Sequence, residues 1–399
     1  MMQRIRGIDV LRGLGIFVLL MLHSAFYYYG YIYELDFENP PLIITIIGFL
    51  LMFAGLFAIL SGISHVITME NDYLSGKSIQ LIRKKKLFAG LFILLIAYVY
   101  FIFVGPALVM FEIDSMNHSI IVELIRNSNI TFTNLDRVFY IDSLVMIGTN
   151  IILLGIIYPW LIKKQWNKVK VLLPATAVFM IISLVRIPLY TIYLDSIDQG
   201  HLLTTILLNP FVNKNNPIFP YFGFALLGAS VAKAYLTKQT KWIVPTGFVV
   251  FIGSMIGYIL LPDTMLERLI DLKWFSIMWA QMGIFLLLVA LFVWMFKTRK
   301  TRHVFKYFER FGYAGLTPFF YESIFAAIIY RVLDLIFGPL KFDIAASIGF
   351  GFGLALIWGI LLIVAEKHEY PGFIEKMYVH VINHVDESTK GIQLKRKIK

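Results

Sequence analysis

The chain of 399 residues has no cysteine, which excludes disulfides, a thiol nucleophile and every thiolate metal site. Charge is scarce as well. Asp, Glu, Lys and Arg make up 15% of the residues and hydrophobic types 59%, far from the balance of soluble domains. No Walker loop, Gly-x-Ser-x-Gly elbow or zinc signature is present. The run "GFGFG" at 349–353 lacks the preceding strand and the third-glycine spacing of a dinucleotide fingerprint, so it reads as close helix packing. His380 and His384 stand at i, i+4 with no third ligand beside them, and no metal is expected. Long polar segments are missing too. The loops at 109–138 and 195–216 are too short for a further domain and can only shape a mouth.

What is present is a succession of apolar runs, each near the roughly 20 residues that span a bilayer. They predict an all-α, polytopic integral membrane protein with ten transmembrane helices, over 8–30, 42–68, 87–108, 139–162, 169–194, 217–236, 242–262, 274–296, 312–337 and 344–366. The formal charge of +11 sits in short clusters between these runs, such as Arg83 to Lys86 and Lys297 to Arg302. That pattern is a topology signal, and no nucleic-acid partner is expected. Most of the 36 Lys and Arg fall on one side of the alternation, which places both termini in the cytoplasm of a multi-pass protein of the cell membrane. Arg4 and Arg6 before an apolar run mimic a signal peptide, but no small-x-small cleavage site follows, so the segment is read as an uncleaved helix. Residues 1–370 form one membrane domain. The basic tail, 371–399, carries Phe373, Met377, Val381 and Val385 at helical spacing, which predicts a short helix on the inner leaflet.

The stretch "IDVLRGLGIFVLLMLHSAF", Ile8 to Phe26, puts Asp9, Arg12 and His23 into a membrane helix, where ionisable residues are costly and mark functional interiors. Arg12 and His23 are eleven positions apart. That is within about 20° of three full turns, so they share one face about 16 Å apart. Asp9, three residues before Arg12, can neutralise or orient the guanidinium. Read without function, the same residues make an ion pair at the membrane edge, a snorkelling Arg12 and a packing histidine.

The "IDVLRG" motif followed by Arg-x10-His resembles the first helix of the membrane-bound acyltransferases, a superfamily that includes sugar O-acetyltransferases and heparan-glucosaminide N-acetyltransferase-like proteins. "FAGLFAILSGISHVI" (53–67), with Ser61 and Gly62, is similar to the family's Phe-rich helix ending in Ser-Gly. "NPIFPYFGFALLG" (216–228) resembles a Pro-aromatic-Gly helix entry, and "AGLTPFFYESIF" (314–325) resembles a segment of a related bacterial membrane family. The chain departs from these branches at Val145, where one often has His, and at His23, where another usually has Asn. The resemblance implies transfer of an acyl group such as acetyl from cytoplasmic acyl-CoA to a hydroxyl or amine of a cell-envelope or lipid-linked glycan. Arg12, with Asp9, would grip CoA phosphate, and His23 would serve as general base or acyl carrier.

Four further groups of residues are candidates. Glu322 lies near the midplane and is the best partner for His23, either orienting the imidazole or standing as a protonated or helix-bonding glutamate. Ser61, Gly62 and His65 lie near Arg12's end of the second helix, at an acyl-CoA mouth or in plain helix packing. Asp142, Arg186 and Arg331, towards outer helix ends, either line an acceptor vestibule or pair with one another, and pairing is the reading favoured. A proton- or solute-coupled transporter would use the same Arg12, His23 and Glu322. The Arg-x10-His pattern with Ser61-Gly62 favours the enzyme, and the lack of an evident inverted repeat disfavours the transporter.

Overall fold

The computed structural model describes residues 5–36, 40–110, 115–128, 136–164, 168–262, 270–297 and 303–397. The described residues are nearly all helical, and eight helices are long and apolar enough to cross a membrane. In chain order the helices are α1 (Arg6–Tyr27), α2 (Leu42–Leu51), α3 (Ala54–Leu74), α4 (Ile79–Val99), α5 (Ile120–Asn127), α6 (Asp136–Phe139), α7 (Ser143–Lys164), α8 (Lys168–Ile182) and α9 (Arg186–Asp198). They continue with α10 (Leu202–Val212), α11 (Ile218–Leu236), α12 (Ile243–Leu260), α13 (Leu272–Lys297), α14 (His303–Tyr313), α15 (Leu316–Phe337), α16 (Ile344–Lys367) and α17 (Ile374–Lys397). A two-stranded antiparallel hairpin, β1 (Leu108–Met110) and β2 (Ser115–Asn117), follows α4. The basic run at 298–302 lies outside the described residues.

Eight of the ten expected spans correspond to those apolar helices. The other two differ. The span expected at 42–68 is two helices, parted between Leu51 and Ala54. That expected at 312–337 begins only at Leu316, after α14 has turned back, and carries Glu322, Arg331 and Asp334 along its length.

α1 is the hub, touching α13, α14, α15 and α16. Its neighbours come close because the contact points lack side chains. A methyl group on Gly13 would strike the Phe308 carbonyl of α14, and one on Gly351 the Met21 carbonyl of α1. The end of the bundle at which α1 begins is called the near end below, and the other the far end. Gly315 sits against Ile16 of α1, so α15 starts about ten residues, roughly 15 Å, into the bundle from the start of α1.

The first turn of α15 is closed by a side chain from another helix. Glu375 of α17 accepts from Leu316 N at 2.6 Å and Thr317 N at 3.1 Å through Oε1, and from Thr317 Oγ1 at 2.6 Å through Oε2. Free N–H groups at a helix start need such partners. From there α17 packs Tyr378 and Ile382 on Ala89, Phe92 and Ile93 of α4, and Asp386 joins Lys77 at 2.6 Å and Lys85 at 3.6 Å. The expected leaflet helix is thus a packed part of the bundle along one side. Val385 is buried and Met377 exposed.

Candidate active site

His23 lies in the last turns of α1 and Glu322 in the second turn of α15. The parallel course of the two helices brings His23 Nδ1 to 2.7 Å from Glu322 Oε1. Glu322 is 3% exposed, and a carboxylate that deep must be matched by donors. The second donor is Tyr100, whose hydroxyl lies 2.9 Å from the same oxygen. Tyr100 opens a π-helical turn, Tyr100–Val104, that ends α4 before Gly105 and Pro106. The wider turn re-aims side chains, and such turns recur at functional sites. Phe319, 4.9 Å from the Tyr100 ring and 6.1 Å from His23, walls the pair.

When Glu322 is ionised it only accepts, and His23 Nδ1 then donates to it while Nε2 keeps its lone pair. Nε2 makes no hydrogen bond among the described residues, and Glu322 Oε2 is buried without a partner. Both residues line a cavity together with Tyr27, Tyr28, His118 and Arg126. It encloses about 20 Å³, or about 300 Å³ counted out to its open mouth. The enclosed part admits a water.

About 16 Å towards the near end, on the same unbroken helix, Arg12 is part-buried. Asp9 Oδ1 is 3.8 Å from its guanidinium. It donates to the Leu60 and Gly312 carbonyls, each at 3.4 Å, and to Ser64 Oγ. The hydroxyl that meets Arg12 is therefore that of Ser64, one turn beyond Ser61. Gly62 serves the contact of α3 with α11, because a methyl there would meet the Ala225 carbonyl. His65 Nδ1 is 3.1 Å from Lys86 Nζ, adding two nitrogen groups near this end.

Asp142, Arg186 and Arg331 do not pair with one another. Asp142 caps α7, its Oδ1 accepting from Leu144 N at 2.8 Å and Val145 N at 2.9 Å. Arg186 donates to the Val212, Asn213 and Lys214 carbonyls, and Arg331 meets Asp334 at 3.3 Å, three residues along its own helix. Each finds a local or backbone partner instead. Among the described residues no group of three or more His, Asp or Glu could hold a metal ion.

Tyr100, Ser64, His118 and Arg126 were not singled out from the sequence. Tyr100 stands among "YVYFIF" (98–103), and it is at the π turn that its hydroxyl reaches Glu322. Depth alone was enough to single out Glu322.

The model of the catalytic domain of heparan-alpha-glucosaminide N-acetyltransferase matches residues 4–260. That range holds Asp9, Arg12, His23, Ser61, Gly62 and Tyr100, and stops short of Glu322. No curated protein matches the chain. With more than half of the sequence matched, and with Arg12 and His23 set along one helix face inside a bundle of apolar helices, the chain belongs to the heparan-alpha-glucosaminide N-acetyltransferase catalytic family, as a multi-pass membrane enzyme of the acetyltransferase type.

Proposed function

We propose that the chain transfers an acetyl group from cytoplasmic acyl-CoA to a hydroxyl or amine of a cell-envelope or lipid-linked glycan, with the near end facing the cytoplasm. The observation that carries this reading is the contact of His23 Nδ1 with Glu322 at 2.7 Å, beside a cavity and on the helix that bears Arg12. Arg12 holds CoA phosphate through its planar fork, and the pantetheine arm spans the interval to His23. The acceptor oxygen or nitrogen attacks the thioester carbonyl while His23 Nε2 takes its proton. Glu322 stabilises the imidazolium so formed. The C–S bond then breaks, and the departing thiolate of CoA recovers the proton from Nε2. No covalent enzyme intermediate is needed.

Burial of Glu322 supports this role, because a charge partner counts for more where water is excluded. A proton-coupled transporter would use the same pair, and membership of an acetyltransferase family favours the enzyme. The test is transfer of labelled acetyl from acetyl-CoA to envelope glycan in membranes with and without the protein, alongside solute uptake. Label in the glycan, dependent on His23, is expected. His23-dependent uptake with no CoA dependence overturns the reading.

A further inference from the structure

The cavity floor is His23 and Glu322. Its far wall is formed by α5 and the segment leading into it, and nothing in the acyl-transfer step uses the groups found there. Arg126, in the last turn of α5, lies over the rings of Tyr28 at 4.9 Å and Tyr330 at 5.4 Å. Aromatic faces hold a guanidinium plane in place without neutralising its charge. Among the described residues no carboxylate forms an ion pair with it. The nearby acids are engaged elsewhere: Glu123 accepts from Asn127 at 2.8 Å, Asp334 takes Arg331 and Leu340 N, and Glu322 holds His23 and Tyr100.

His118 lines the same cavity, and its Nδ1 is buried with no hydrogen-bond partner. Burial, with Arg126 and Arg137 nearby, pushes its pKa down to about 3. It therefore stays a neutral imidazole that offers one donor and one acceptor. Arg137 is itself buried and satisfied by the carbonyls of Phe101, Pro106 and Asn117, so it adds positive potential without being open to a ligand. Among the described residues the far wall thus offers a cation with no carboxylate on it, Arg126, and a neutral imidazole whose Nδ1 has no partner, both lining the cavity that His23 floors, with Tyr28 beside them. A neutral sugar would use the imidazole and leave the cation unmatched. A sugar with a negative substituent uses both.

We propose that this wall is the acceptor subsite and that it selects an acceptor carrying an anionic substituent, phosphate or carboxylate. Arg126 binds the anion, and His118 takes a neighbouring hydroxyl. The accepting amine or hydroxyl is thereby presented to His23. The proposal rests on the acyl-transfer reading.

Purified full chain in lipid nanodiscs with labelled acetyl-CoA is the material for the test. The probes are glucosamine, glucosamine 6-phosphate and a glucosamine joined to a uronate, compared by kcat/KM. Wild-type protein should favour at least one anionic probe over glucosamine by about tenfold or more, the size of a charge-assisted contact. The phosphate and uronate arms tell which anion it is. Arg126→Gln should bring that ratio close to one, chiefly through KM. Arg126→Lys, which keeps the charge without the fork, should restore part of it. A wild-type ratio near one overturns the proposal, and so does an Arg126→Gln protein of wild-type thermal stability that loses both kinds of probe equally. Consumption of acetyl-CoA with no probe labelled overturns the subsite and leaves the donor reading standing. No consumption of acetyl-CoA under any condition overturns both.

Discussion

Glu70 and Glu322 are two glutamates buried in one bundle, 4% and 3% exposed, and each accepts a hydrogen bond from a buried tyrosine. Tyr158 lies 2.5 Å from Glu70 and Tyr100 2.9 Å from Glu322. There the likeness ends. Glu70 Oε1 also takes Lys168 of α8 at 2.8 Å and Lys233 of α11 at 3.2 Å, so three helices are tied through one carboxylate by two lysines. Among the described residues Glu322 meets no lysine. Its remaining partner is a histidine, and its second oxygen has none. A carboxylate gripped by two lysines holds helices together. One matched by an imidazole, with an oxygen to spare on a cavity, can pass a proton.

Substitutions at the two glutamates and their partners test this difference. The largest effect is expected at His23. Ala or Gln there should lower acetyl transfer by about 10²- to 10⁴-fold, the range of a general base, with the melting temperature little changed. Gln keeps hydrogen bonding but takes no proton near neutral pH, so substantial activity in His23→Gln would turn the residue into a packing element. Next come the glutamates as a pair. Glu322→Gln should cost about 10²-fold in kcat and little stability. Glu70→Gln should cost about 3–5 kcal/mol, as when one partner of a buried ion pair is removed, with normal turnover per folded molecule. If the two variants exchange these phenotypes, the distinction fails.

Arg12→Lys should raise KM for acetyl-CoA about tenfold, since charge survives and the fork does not. An unchanged KM returns Arg12 to the role of helix anchor. Smallest are the tyrosines. Tyr100→Phe removes one hydrogen bond worth about 1 kcal/mol, roughly fivefold in kcat, and Tyr158→Phe should show a similar loss in unfolding free energy and none in turnover.

Much of this site follows from helical periodicity. The 3.6-residue repeat places Arg12 and His23 on one face, and the depth of Glu322 within its apolar run makes it the partner. Both inferences concern single straight helices, where spacing is geometry. The Ser61 and Gly62 assignment shows where that stops. Which side of α3 faces Arg12 depends on how α3 packs against α11, and Ser64, one turn on, is the residue that arrives. Tyr100 depends on a local widening of the helix that no periodic pattern announces. The break between α2 and α3 and the late start of α15 likewise arise from neighbours distant in sequence.

The cap on α15 bears on the order in which the enzyme is made. Leu316 and Thr317, about one and a half turns before Glu322, have their backbone N–H groups closed by Glu375, which leaves the ribosome almost sixty residues later. Until then the helix that carries Glu322 has an open first turn among apolar helices, where water is a poor stand-in for the missing acceptor. The candidate site is therefore completed after its own helix has been made, when the returning tail docks. A chain halted before residue 375 would hold every proposed catalytic residue and still lack the support that sets Glu322 at its height.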